Sequence, residues 1–581
     1  MTTNITRRDF LRVSGYVAVG TVLVNCTPAT DEIKPLPSPT TKPRELLTLR
    51  ATTSQYGEKA AANANDIVTP YVEKMFNMKF DVFLMPQDTG AKDFYALNKA
   101  AGTLPDVMMS GRQETTALGR TGDFADLTDY LPMMPNYMRW VDEVNLRRFL
   151  TDGRQIGLPQ PKPDTNGPEF EGNIFYQGYN QWPLLMREDI LTRLGYKLTP
   201  IADIAKETTD NGVWPTFEQL AIEPAIDTPE AFDEFLKKVK AENIMVGDLP
   251  LTPLSSSAWS VFHLSSMMDN GHWRINDEGE VDGYLGLPGA YPYYKLWSDW
   301  YRNDLVDKDY VTHKDDQLQA KWAAGRVAAG LFVPNLSAAR QALIDKDPTA
   351  MIRPVQWPKQ DQRYGFFDIF ETGGWTTIFN KEIEELDRVI ELIDWLNSDE
   401  GIDVNTWGPE EAGLYVEQDG KKLWKDEETR MNIMDNIDGT KNADYYGVFS
   451  SKSQGGFFTS RVFYCMPMVI APFRSDPRFN YEPQLDIFNV APRVLGREVN
   501  MGLNTDSRAV AGDGGDNNAA VQDYFWASFV GGDIAKALTS KDDAEFDTAW
   551  EEIQANFDTN DQYSAAKSDM ENWFAEFGPA T

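Results

Sequence analysis

The chain has 581 residues and a formal net charge of −34, with 89 acidic against 55 basic side chains. That length supports more than one lobe with its own core. The acidity excludes a basic face for nucleic acid and favours solubility without identifying a ligand.

The segment Thr6-Arg7-Arg8-Asp9-Phe10-Leu11-Arg12 is basic and precedes an apolar run from Val13 to Val24. Such a run falls short of the roughly 20 apolar residues that span a bilayer as a helix and fits the h-region of an export signal. Arg7-Arg8 followed by Phe10 and Leu11 resembles a twin-arginine signal; an ordinary secretory signal is the alternative. Leu23-Val24-Asn25-Cys26 resembles a lipobox, in which Cys26 becomes the lipidated first residue, although Asn25 departs from the usual small residue. Residues 1–25 are therefore expected to be removed. They carry a net +2 from Arg7, Arg8, Arg12 and Asp9, so the mature charge is near −36. Residues 26–43 are rich in proline, a composition that stays extended and serves as a tether. No later stretch of 18 or more apolar residues suggests a membrane span, so lipid is the expected anchor. With Cys26 lipidated, Cys465 is left alone and no intramolecular disulfide is expected.

Beyond the tether, Leu46–Ala51 reads as a strand, 60–77 as helical, and Phe80–Met85 as a second strand. A helix over 92–101 leads to a third strand at Pro105–Met109. Strand, helix, strand, helix, strand implies parallel βαβ units, whose ligands bind beyond the carboxyl ends of the strands. Thr228-Pro229 opens a helix with Phe232, Phe235, Leu236 and Val239 on one face. A hairpin is expected across His272–Tyr284, turning at Asp277-Glu278-Gly279, and another amphipathic helix carries Leu386, Val389, Ile390, Ile393 and Leu396. The loop Asp513–Asn518 offers hard oxygen ligands without EF-hand spacing and reads as a polar surface loop.

The common hydrolase, zinc-protease, P-loop and dinucleotide motifs are absent. The three histidines, His263, His272 and His313, do not pair at ligand spacing, so a histidine-rich zinc site is not expected; no metal and no cofactor is assigned. A glycosidase needs only two carboxylates, so an exported, surface-anchored glycan-cleaving enzyme stays open as an alternative.

Several blocks, in order, resemble bacterial extracellular solute-binding lipoproteins of ABC-type carbohydrate importers. They are Leu97–Val107, Asp126–Leu131, Asp152–Pro159, Met186–Gly195, Trp297–Asp307, Ala324–Gly330 and Ile393–Gly401. The resemblance implies an α/β, two-lobed periplasmic-binding-protein-like fold of type II, with the hinge crossed more than once. It implies lobe 1 over 44–175 plus 370–430, and lobe 2 over 176–369 plus 431–581. It also implies capture of a carbohydrate for an ABC permease, without catalysis, by a monomer held at the outer face of the cell membrane. A binding lipoprotein for a non-sugar solute is a further alternative.

Sugars offer apolar C–H faces and rings of hydroxyls, which aromatic rings and planar polar side chains complement. Position selects Gln55 and Tyr56 beyond the first strand, and Arg112 beyond the third. Trp182 lies near the inferred hinge, Trp259 follows Ser255-Ser256-Ser257, and Trp375 starts a strand after a flexible Gly373-Gly374 turn. Cys26→Ala is expected to release the protein from membranes into the soluble fraction. Changing Arg7 and Arg8 together to Lys is expected to abolish twin-arginine export, read as loss of the mature form from the extracytoplasmic fraction.

Overall fold

The computed structural model describes residues 44–52, 68–83, 91–141, 146, 150–161, 184–211, 215–271, 273–275, 280–313, 315–331, 336–360, 372–418, 421–426, 429, 465, 494–495, 515–529 and 532–577. The chain opens with β1 (Leu47–Thr52), α1 (Val68–Phe76), β2 (Met78–Phe83), α2 (Ala91–Ala101), β3 (Val107–Gly111), α3 (Arg112–Gly119) and β4 (Gly157–Pro161). β1 pairs in parallel with both β2 and β3, as the alternation of strands and helices requires.

A second sheet follows. Its elements are β5 (Leu184–Arg187), α4 (Glu188–Arg193), α5 (Pro229–Ala241), β6 (Thr252–Ser255), α6 (Ala258–Leu264), α7 (Ala290–Arg302), α8 (Asp315–Ala323), β7 (Val327–Leu331), α9 (Leu336–Lys346) and β8 (Ile352–Val355). The strand order is β6-β7-β5-β8. β6 runs parallel to β7, and β5 is antiparallel to both β7 and β8. The chain then returns to the first sheet as β9 (Thr372–Phe379), inserted antiparallel between β3 and β4 to give the order β2-β1-β3-β9-β4. α10 (Leu386–Leu396) covers that sheet. The last described helices are α11 (Gly515–Phe529), α12 (Asp533–Leu538), α13 (Asp543–Asp558) and α14 (Asp561–Phe577).

Period-two alternation sends each strand's side chains to two cores. In β3, Val107 joins the cluster beneath α10, with Leu49, Phe379, Ile390 and Ile393. Met108 joins Phe94, Leu118 and Ile378 on the other face. In β5, Leu184 and Met186 enter the large second core, whereas Leu185 packs with Trp322, Leu343 and Ile352. The expected helix at 229 is present, with the Thr228 hydroxyl accepting from the Ala231 amide at 3.2 Å and Phe232, Phe235, Leu236 and Val239 buried. The strand pairing of the expected hairpin is present as Arg274–Ile275 against Val281–Asp282; its turn at Asp277-Glu278-Gly279 lies outside the described residues.

The structure differs from the expectations at three places. Gly373 and Gly374 are not a turn before a strand. They lie inside β9, where the register against β4 shifts between Thr372 and Thr376, as glycines without side chains permit at a bulge. Gly515 to Asn518 form the first turn of α11 rather than a surface loop; Asp513 and Gly514 lie outside the described residues. Cys465, from a stretch read as part of lobe 2, is fully buried in the first core, and its carbonyl accepts from the Asn397 side-chain Nδ2 at 3.0 Å. Burial pushes its thiol up to about 12, so it packs as a small hydrophobe. Helices α11 to α14 do pack into the second core through Phe525, Phe546, Ile553 and Met570.

The second core also holds a buried ion pair. Arg353 on β8 is fully buried and donates to Glu188 at 3.1 Å, to the Thr199 carbonyl at 3.1 Å and to the Leu220 carbonyl at 2.7 Å. Glu188 also accepts from the Ile201 amide at 2.9 Å. Burial raises the Glu188 carboxyl against the pull of Arg353 and that amide, and burial lowers the Arg353 guanidinium. The pair therefore fixes how β8, α4 and the 199–220 segment meet rather than adding net stability. Glu188→Ala strands a buried cation and is expected to cost about 3–5 kcal/mol in urea unfolding. Adding Arg353→Met to that variant is expected to restore most of the loss.

Candidate functional site

Strand direction determines where a ligand can meet both sheets. In the first sheet β1, β2 and β3 share one carboxyl edge, where β4 ends at Pro161 and β9 begins at Thr372. In the second sheet β6, β7 and β8 end at one edge, where β5 begins at Leu184. The chain passes from Pro161 to Leu184 and from Val355 to Thr372, so both passages run from one of these edges to the other. The edges that bind ligands in open α/β sheets are thus the edges the chain links.

The candidate residues fall on these edges in part. Trp375 pairs with Gly111 across β9 and β3, and Arg112 is the next residue, opening α3. The fold thus brings the backbones of Trp375 and Arg112 together, although they are far apart in the chain. Trp259 is the second residue of α6, just past the carboxyl end of β6. The side chains of these three lie outside the described residues, as do Gln55, Tyr56, Trp182, Cys26, Arg7 and Arg8 entirely.

Beneath the first edge sits a triangle of buried hydroxyls. Ser110 on β3, Thr115 on α3 and Thr376 on β9 lie 2.6, 3.1 and 2.5 Å apart. A Cβ on Gly157 would meet the Thr115 methyl at 2.9 Å and Thr376 Cβ at 3.1 Å, so glycine is needed for β4 to approach. The triangle clamps the strand bearing Trp375 to the helix that begins at Arg112.

At the second edge lies a cluster built on a single histidine rather than a histidine pair. Its signal was Asp307-x-Asp309 followed by His313. Asp307 follows Val306, which bridges in parallel to Leu254 on β6, and its amide donates to the Leu254 carbonyl at 2.9 Å. Its carboxylate accepts from the Ser255 hydroxyl at 3.0 Å and from Lys321 Nζ at 2.7 Å. Lys321 also donates to His313 Nε2 at 2.7 Å and to Asp309 at 3.4 Å. His313 Nδ1 lies 2.9 Å from the Ser256 carbonyl. A carbonyl only accepts, so Nδ1 carries the proton and Nε2 presents its lone pair to Lys321. Burial alone would raise the Asp307 carboxyl; the hydrogen bond and the charge of Lys321 hold it below its ordinary value instead. An open pocket lined by Thr312, Gln317, Ala320 and Arg326 adjoins the cluster. Among the described residues, Asp307, Asp309 and His313 are the group whose ligand atoms lie close enough to share a metal ion.

No protein-family model matches the chain, and no curated protein matches it. Solved structures do. The chain is similar to the alginate-binding protein AlgQ2 without calcium ion, with 16% identity, a TM-score of 0.61, and coverage of 91% of this chain and 98% of that one. It is similar to an extracellular solute-binding protein from Bifidobacterium longum subsp. infantis, with 12% identity, a TM-score of 0.59, and coverage of 91% and 98%. It is also similar to the S. pneumoniae ABC-transporter substrate-binding protein FusA in complex with kestose, with 12% identity, a TM-score of 0.57, and coverage of 92% and 100%. At such identities the likeness establishes the fold: a two-lobed α/β architecture of the periplasmic-binding-protein type.

The clamp has a measurable consequence. Thr376→Val leaves two buried hydroxyls short of a partner and is expected to lower stability by about 1–3 kcal/mol, read as a lower urea midpoint.

Proposed function

We propose that this protein is a lipid-anchored solute-binding protein that captures an oligosaccharide in the interlobe cleft and presents it unchanged to an ABC permease. The observation that carries this reading is the two-lobed fold matched along nearly the whole chain to proteins that bind alginate and kestose. The edge-to-edge course of the chain supports it, because such a connection leaves a cleft that hinge motion can close. So do the positions of Trp375, Arg112 and Trp259 at the two edges. On this reading the protein is monomeric, works outside the cytoplasm and carries out no chemistry on its ligand. Cys26 is on this reading the lipid attachment point, with Arg7 and Arg8 directing export; among the described residues no helix is long and apolar enough to cross a membrane.

A glycan screen by intrinsic tryptophan fluorescence is expected to find an oligosaccharide that quenches or shifts emission. Small-angle scattering at saturating ligand is expected to show a smaller radius of gyration. An unchanged radius would refute closure, and time-dependent loss of the glycan would indicate an enzyme. Trp375→Ala is expected to weaken binding about 5- to 150-fold, the equivalent of ~1–3 kcal/mol for a lost stacking face, with the urea midpoint nearly unchanged. A large drop in that midpoint would instead mark a core residue, whose truncation costs ~3–5 kcal/mol.

A further inference from the structure

The geometry points to a divalent-cation site formed by Asp307, Asp309 and His313, in which the Lys321 ammonium is the resident cation and a zinc-like ion is the competing ligand. Three acceptor atoms converge on Lys321 Nζ: Asp307 Oδ2 at 2.7 Å, His313 Nε2 at 2.7 Å and Asp309 Oδ2 at 3.4 Å. These ligand atoms lie within 4.8 Å of one another. Two ligands on one tetrahedral zinc stand about 3.4 Å apart, at bond lengths of about 2.0–2.2 Å. The required contraction falls mainly on Asp309, whose side chain is 72% exposed and free to swing in, while Asp307 and His313 are 7% and 3% exposed and already fixed.

The surroundings are those of a ligand set. The Ser256 carbonyl holds the His313 Nδ1 proton, which fixes the ring in the tautomer that offers Nε2 to the centre. The Ser255 hydroxyl orients Asp307 from the other side. A hydrogen-bonded histidine and a hydrogen-bonded carboxylate are the supports that metal ligands have. Charge agrees as well. Two carboxylates and a neutral imidazole carry −2, which one ammonium only half compensates and a divalent ion neutralises. One histidine with two carboxylates suits a borderline ion such as Zn²⁺ and leaves a position open to water. The displaced Lys321 side chain has a place to go, because the pocket lined by Thr312, Gln317, Ala320 and Arg326 opens beside it.

The test uses the untagged full-length mature protein and zinc ion alone, with affinity read by competition against a chromophoric chelator and melting temperature read in parallel. Lys321→Met keeps the aliphatic stem and removes the competing charge. It is expected to bind one zinc ion at least about tenfold more tightly than the unaltered chain and to melt higher when zinc is added. Placing His313→Ala in the Lys321→Met background is expected to remove both the tight binding and the melting shift. A Lys321→Met protein that is folded by circular dichroism yet binds zinc no more tightly than the unaltered chain would overturn the proposal. So would tight binding that survives His313→Ala, since the ion would then sit on other acidic groups.

Discussion

Parallel pairing at one register controls the arrangement of the first sheet. Ala51 stands opposite both Val82 and Val107, so three successive strands point the same way and their following segments leave from one edge. β9 enters antiparallel, which places Thr372 and Trp375 at that edge rather than at the far end of the sheet. The second sheet repeats the constraint with β6, β7 and β8 parallel and β5 reversed. A chain that leaves one sheet at its carboxyl edge and joins the other at its carboxyl edge has those two edges connected by the passages themselves. Which edges the two passages join follows from strand direction before any side chain is considered.

Aromatic residues make up 12% of the chain, and the structure shows where many of them are used. Trp273, Trp297, Trp300 and Trp322 are fully buried, as are Tyr284, Tyr293, Tyr294 and Tyr310. Trp273 stacks on Tyr563 at 5.1 Å, which ties the last helix to the hairpin strand, and Phe232 meets Trp300 edge-on at 5.7 Å. Trp300 satisfies its indole N–H with Asp233 at 2.9 Å. Each such side chain removes a large apolar area from water and adds a preferred ring geometry. Aromatic content by itself therefore does not mark a sugar site, because core packing accounts for these rings.

The charged groups that matter most to the interior are the buried ones. Arg353 and Arg388 sit in the two cores and each binds backbone carbonyls from distant segments: Thr199 and Leu220 in one case, Glu45 and Asn77 in the other. A guanidinium with several donors in one plane can join chain segments that share no sheet. Lys321 plays a related part at the second edge, where its ammonium gathers Asp307, Asp309 and His313 around one point.

Local patterns in the sequence determined much of the secondary structure. The Thr228-Pro229 start, the apolar stripe of α5, the spacing of Leu386, Val389, Ile390 and Ile393, and the alternating β1, β2 and β3 all appear close to where periodicity puts them, because each depends on neighbours a few residues away. The resemblance of ordered blocks pointed to the two-lobed fold. Tertiary structure alone decided the rest. That Gly373 and Gly374 sit within a strand depends on the register of β9 against β4. That Cys465 belongs to the first core depends on Asn397 and the cluster beneath α10. Trp375 and Arg112 meet at one edge only because β9 is inserted beside β3. Asp307, Asp309, His313 and Lys321 form one cluster only because α8 folds back over the turn that follows Val306. The first three are contacts between distant segments, and no local pattern in the chain encodes the pairing that creates them; the last joins residues 8 to 14 positions apart, through the way one helix folds back.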